Sequence, residues 1–299
     1  MELRHIRYFL AVAEEQAFTR AAARLGIGQP PLSQQIRDLE SEIGYPLFHR
    51  WPHGVTLTGA GLAFLAEVRQ VLAQVDNAVR AARWAGGGQG GAVRVGFTSS
   101  ANFNPVVTRT LAAFHWQYPE TSLVIEENNT AILVDRLVNH ELDVAFVRPG
   151  NVADSRVRLT PMDDEPLIFA LPVGHALAGQ VSVPVAALKD DPFIVYARDQ
   201  GQSFLSLIRE ACLAEGFEPL IGQEAPKSGA IINLVAAGLG VAVVPASIAQ
   251  LAVEGVIYRP IDGVDLKVSL ALAIRSDDVS SVARTFASLV SPAAEAAPA

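Results

Sequence analysis

Four side chains between residues 29 and 37 carry the chemistry of base recognition: Gln29, Ser33, Gln34 and Arg37. A Gln amide can pair bidentately with adenine and an Arg guanidinium with guanine, while a Ser hydroxyl accepts either partner. Pro30 and Pro31 stand at the start of the stretch, where a missing N–H has no helical acceptor to lose. Arg50 and His53 flank a turn through Pro52-His53-Gly54 and are placed to reach phosphates, contacts that set register without reading bases.

The surrounding pattern says what positions these groups. Leu3, Ile6, Phe9, Leu10 and Ala13 recur at helical spacing. A second short helix fits residues 19–25, closed by Gly26, and a third carries the apolar stripe Leu32, Ile36, Leu39 and Ile43. Two helices, a tight turn and a third helix with Ser33, Gln34, Arg37 and Asp38 on its outer face make a helix-turn-helix. Its last helix suits the major groove. The same spacing equally suits a three-helix cap with a solvated face, and periodicity does not choose. Residues 45–50 and 55–58 then alternate as a hairpin, a wing.

Leu65, Val68, Leu72, Val75, Val79 and Ala82 follow at alternating spacings of three and four, a heptad seam for pairing two chains or for packing on the chain's own domain. Residues 86–91 are Gly-Gly-Gly-Gln-Gly-Gly. Gly86, Gly88 and Gly91 match a dinucleotide fingerprint in form, but that fingerprint follows a strand and opens a helix, the reverse of the order here. The run reads as a hinge.

A second group of chemically able residues lies beyond it. Strands at 93–98, 123–126 and 143–147 alternate with helices at 105–118 and 131–139, which implies a parallel sheet under helices. Ligands in such sheets sit beyond the strands' carboxyl ends. There stand Ser99 and Ser100, Thr130, and Arg148. Later in the chain Gln202-Ser203-Phe204 and Lys227-Ser228 read as helix openings, giving Ser203 and Phe204 as further candidates. Helix N-termini with small hydroxyls favour an anion, and a small carboxylate is the natural ligand. Each Ser or Thr taken alone also fits an ordinary N-cap.

Residues 1–65 resemble the head of the LysR-type transcriptional regulators. The resemblance is carried by Leu3, Phe9, Ala13, Phe18, Ala21-Ala22, Leu25, Gln29-Pro30, Leu32-Ser33, Ile36, Leu39-Glu40, Gly44, Leu47-Phe48, Arg50, Thr56-Leu57-Thr58 and Ala60-Gly61, and extends more loosely over nearly the whole chain. Gly28 stands where the family has Ser, and Trp51-Pro52-His53 where its wing carries more Arg or Lys. The resemblance implies a winged helix-turn-helix at 1–58, a dimerising linker helix at 59–84, a hinge at 85–91 and a two-lobed α/β sensor similar to periplasmic binding proteins. Lobe one would be 92–161 with 267–299, and lobe two 162–266. It further implies a homodimer or homotetramer on an interrupted palindrome of double-stranded DNA, contact with RNA polymerase, and activation of a catabolic operon. In members that respond to muconate and related aromatic catabolites, the matching residues here are Ser100, Thr130 and Phe204, with Ser99 beside them. Arg148 matches an Arg of a second, inner pocket, where those members' acidic residue becomes Lys227. The alternative is an effector that is an amino acid or another metabolic intermediate.

Composition narrows the classes. Half of the 299 residues are hydrophobic and the net charge is −8, yet residues 1–84 hold nine Arg against eight acidic residues. The six His show no HExxH or other ligand spacing, no GxSxG occurs, and Cys212 is the only cysteine, so neither an enzyme, a metal site, a disulfide nor a cofactor is expected. An exported solute-binding protein would lack residues 1–58. A head that binds protein rather than DNA is a further rival. No secretory h-region or spanning segment is readable, and the expected location is the cytoplasm without membrane contact.

Overall fold

The structure is a computed structural model that describes residues 1–85, 92–150, 152, 154–276 and 281–290, without the side chains of 77, 80, 81, 83–85, 198–203, 281 and 282. Residues 86–91 of the expected hinge, and the Ala- and Pro-rich end from 291, lie outside the described residues. The chain divides into two units, Met1–Ala82 and Arg83–Ala299.

In the first unit α1 (Leu3–Glu15), α2 (Phe18–Leu25) and α3 (Gln29–Ile43) precede an antiparallel hairpin of β1 (Phe48–Trp51) and β2 (Gly54–Leu57). Helix α2 stops at Gly26, which takes the left-handed conformation that glycine adopts without strain. Helix α3 starts after Gly28 with prolines in its first turn, and Gly28 supplies no side-chain cap. One apolar core joins all of these: Ile6, Phe9, Val12, Ala21, Leu32, Ile36, Leu39, Leu47, Phe48 and Val55 are buried in it. The Phe9 ring stands edge-on to Phe64 at 5.0 Å and tilted against Phe48 at 5.2 Å.

Helix α4 (Gly59–Ala85) begins inside this core. Val68 is buried there, and Phe64, Leu65 and Leu72 pack against it. The expected heptad seam is therefore split. Its first half is occupied by the head itself, while Val79 and Ala82 are exposed and Val75 half-exposed. Among the described residues no helix is long and apolar enough to cross a membrane.

The second unit opens with β3 (Ala92–Phe97), α5 (Pro105–Gln117), β4 (Ser122–Glu127), α6 (Thr130–Val138), β5 (Val144–Val147) and β6 (Val157–Pro161). β7 (Glu165–Pro172), β8 (Val183–Pro184), β9 (Pro192–Tyr196), α7 (Arg198–Ala214), β10 (Leu220–Ala225), α8 (Ser228–Ala236), β11 (Ala242–Pro245) and β12 (Val256–Asp262) follow, then β13 (Lys267–Val268), β14 (Ala271–Arg275) and α9 (Ser281–Val290). The first sheet has the order β4-β3-β5-β14-β6. Along β5 the pleat sends Val144 and Phe146 into a core with Phe114 and Phe286, and Ala145 and Val147 to the other face with Leu133 and Leu137. The second sheet has the order β11-β7-β12-β8, and a parallel pair β9-β10 attaches through Phe193 and Val241. Its core includes Phe169, Phe193, Phe204, Ile232 and the single cysteine, Cys212, which is fully buried.

Two expectations change. The sheets are mixed: β3 runs parallel to β4 and β5, but β14 is antiparallel to both β5 and β6, and β7 is antiparallel to β11 and β12. A strand that returns from the other lobe needs no right-handed helical crossover and is free to reverse. The return itself comes later than residue 267, since Lys267 and Val268 still pair with β7 and only Ala271 joins the first sheet.

Candidate functional site

The outer face of α3 is a connected polar network. Gln29, Pro30, Pro31, Gln34 and Arg37 are exposed along it, and Arg50 and His53 are exposed on the hairpin. Gln34 donates to Asp38 at 2.7 Å, and Arg37 donates to the Gln34 carbonyl oxygen at 2.7 Å. Ser33 is buried at 7% exposure instead of facing outward. Its hydroxyl accepts from Arg37 at 3.2 Å and from Arg50 at 3.3 Å. Arg50 also pairs with Glu40 at 3.1 Å, and Glu40 accepts the backbone N–H of Leu47 at 2.8 Å. Glu40 thus ties α3 to the wing, and Ser33 braces two arginines from beneath. Such bracing removes part of the side-chain freedom that a flexible Arg loses on binding.

In the second unit five strand ends meet at one cavity that opens to solvent. β3 delivers Thr98, Ser99 and Ser100; β4 and the start of α6 deliver Asn128, Asn129 and Thr130; β5 delivers Arg148. Opposite them stand Tyr196 at the end of β9, Phe204 on α7 and Pro226 after β10. The Tyr196 and Phe204 rings lie 5.1 Å apart. The Asn129 side chain caps α6 by accepting from Ile132 N–H at 2.8 Å, so the helix begins at the cavity wall.

The hydroxyls here differ in what they can still do. Thr130 donates its proton to the Arg148 carbonyl at 3.0 Å and meets an anion only through its backbone N–H. Ser100 accepts from Arg148 Nε at 3.3 Å, which leaves its own proton to give. Ser99 bonds across the cleft to Ser228, whose hydroxyl also bonds Tyr196 at 2.8 Å. Burial above all pushes the Tyr196 phenol up to about 12, so it stays neutral. Arg148 is 4% exposed and pairs with the equally buried Glu165, which further accepts from Asn104 at 3.1 Å and from Ser247 N–H at 2.8 Å. Burial works to raise the Glu165 pKa, but the Arg148 charge and the hydrogen bonds from Ser247 and Arg148 outweigh it and hold the carboxylate below its usual range.

The acidic partner of Arg148 is therefore present, as Glu165, and Lys227 faces a different carboxylate, Glu127, at 3.1 Å. Phe204 does not open a helix, because α7 starts six residues earlier at Arg198; Ser203's side chain lies outside the described residues. Thr98, Asn128 and Asn129 belong to the segments that the sequence places beyond the strand ends, though it does not single them out, and Tyr196 and Pro226 were passed over as lining residues. Their signal was position alone, at or just past strand ends.

The profile of bacterial regulatory helix-turn-helix proteins of the lysR family matches residues 3–62, and that of the LysR substrate binding domain matches residues 86–295. The chain belongs to the LysR family. It is a LysR-type DNA-binding transcriptional regulator with an effector-binding domain, and not an enzyme. It is 36% identical over 286 residues to the HTH-type transcriptional regulator BudR of Raoultella terrigena, covering 96% of this chain and 99% of that one. It is 33% identical over 290 residues to the Hca operon transcriptional activator HcaR of Escherichia coli, covering 97% of each. Among solved structures, full-length CbnR with its target DNA superposes with a TM-score of 0.79 at 25% identity, covering 97% of this chain and 99% of that chain. Full-length BenM superposes with a TM-score of 0.58 at 29% identity, covering 97% and 95%.

Proposed function

We propose that this LysR-type regulator binds an interrupted palindrome through Gln29, Gln34, Arg37 and the flanking Pro30, Pro31, Arg50 and His53, with Ser33 acting as a brace, and answers to a small carboxylate held in the cleft at Ser99, Ser100, Thr130, Arg148, Ser203 and Phe204. The observation that carries the effector reading is the convergence of strand ends, hydroxyl donors and the start of α6 on one cavity. The aromatic wall of Tyr196 and Phe204 favours an acid with a flat or apolar remainder, which supports control of an aromatic-catabolic operon. The acid shifts the protein by binding one arrangement of the lobes better than another. The working unit is a homodimer or homotetramer in the cytoplasm that activates by recruiting RNA polymerase; likeness to an operon activator supports the activating role.

The test is a gel shift and footprint of the purified protein on DNA flanking its own gene, at fixed salt, with and without aromatic acids. A specific shift lost in Arg37→Ala, and a footprint altered by an acid, is the expected result. No shift at low salt would sink the DNA-binding assignment of α3.

A further inference from the structure

We infer that the cleft selects a monocarboxylate over a dicarboxylate, and that the Thr98 hydroxyl is one of the groups that binds the carboxylate. The inference deepens the reading of the cleft as the effector site and rests on it.

Thr98 follows β3, lines the cavity and is 8% exposed, and its hydroxyl oxygen is buried with no hydrogen-bond partner. Buried polar atoms nearly always have a partner, so a lone hydroxyl on a cavity wall marks where a ligand supplies one. Two further donors face the same cavity: the Ser100 proton left over from its bond with Arg148, and the Thr130 N–H in the first turn of α6, which has no intrahelical acceptor. Three donors on residues that line one cavity offer partners for the two oxygens of one carboxylate.

The charges set the limit. Among the described residues Arg148 is the only cation that lines the cavity, and Glu165 already counters it. Lys227 stands next to the lining residue Pro226, and Glu127 next to Asn128, so their ion pair spans the rim with no net charge. One carboxylate is accommodated by neutral donors and the helix start. A second would meet no free cation among the described residues and would stand against the Tyr196 and Phe204 rings, where a desolvated charge is unfavourable.

The experiment is calorimetric titration of the full-length protein at pH 7.5 and fixed ionic strength with size-matched pairs: benzoate against terephthalate and butyrate against succinate, with benzamide as the neutral control. The expected result is that one monocarboxylate binds at least tenfold tighter than its dicarboxylate partner and than benzamide. Thr98→Val weakens that binding at least fivefold, and Thr98→Ser, which keeps the hydroxyl, restores it. Glu127→Gln frees Lys227 and narrows the gap between mono- and dicarboxylate. Dicarboxylates binding as tightly as their partners, or an unchanged affinity in a folded Thr98→Val, overturn this inference while the carboxylate reading stands. Benzamide binding where no acid does, or no binding by any compound at millimolar concentration, overturns both.

Discussion

Ser33 shows how a residue type can be read correctly and its job misread. Helical spacing placed it on the outer face of α3, but a hydroxyl is small, and it is buried where the guanidinium groups of Arg37 and Arg50 both donate to it. Arg37 itself stays exposed, with its guanidinium aimed by Ser33 and Gln34. Arg37→Ala is expected to weaken specific operator binding by about 1–3 kcal/mol and to relax preference at one base pair. A titration against single-base operator variants decides this, and a uniform loss across all variants would mean a phosphate contact instead. Arg148 and Glu165 pose the opposite case, two charges that stabilise only as a pair. Glu165→Gln leaves Arg148 buried without a counter-charge and should destabilise the second unit by about 3–5 kcal/mol in urea. Because the folded pKa of Glu165 is depressed, its contribution is complete above its unfolded value near 4.5 and is lost as pH falls through the lower folded value. The stability gap between wild type and variant should thus close on going from pH 5 towards pH 3. A gap that stays constant over that range would exclude the ion pair as its source.

At the level of elements, helices were readable from periodicity and caps, and their ends less so. Helix α7 begins at Arg198 because the chain turns directly from the end of β9 into helix, and no Gly or Pro marks the spot. The heptad in α4 was legible as a repeat, but a repeat does not say which face finds an intramolecular partner. Val68 sits in the head's core because Gly61 lets α4 start against the hairpin: a Cβ there would lie 2.1 Å from the Leu47 carbonyl oxygen. Gly61→Ala should accordingly lower head stability by about 1–3 kcal/mol, seen as an earlier first melting transition. An unchanged melt would mean that the hairpin yields without strain. The apolar positions left exposed on α4 include Val71 at 41% and Val79 at 45%. If they form the pairing seam, Val79→Glu shifts the sedimentation coefficient towards the monomer and weakens operator binding. A variant that still sediments as the parent would place the seam elsewhere.

For the molecule as a whole, the order of strands and helices announced an α/β sensor, and the resemblance supplied its two lobes. The return of the chain between β13 and β14 was invisible to periodicity, since two short strands separated by two residues look like one. What fixes their assignment is pairing: Lys267 and Val268 with β7, Ala271 to Arg275 with β6. The lining residues, spread over more than a hundred positions of sequence, meet because all but Phe204, which stands inside α7, lie at or just past a strand end, and strand ends of a layered fold share one side.

Cys212 turns this architecture into its own reporter. It sits on α7 with its side chain fully buried in the second lobe's core, and burial, with the nearby Glu218 charge, pushes its thiol up to about 11. A protonated thiol shut away from solvent does not react with a maleimide, so the native protein is silent to such reagents. Each opening of the second lobe exposes the chain's single reactive sulfur, and the labelling rate becomes a clock for that opening. An acid that binds the cleft and not the opened lobe slows the clock as its concentration rises, which makes an unmodified chain its own assay for the effector.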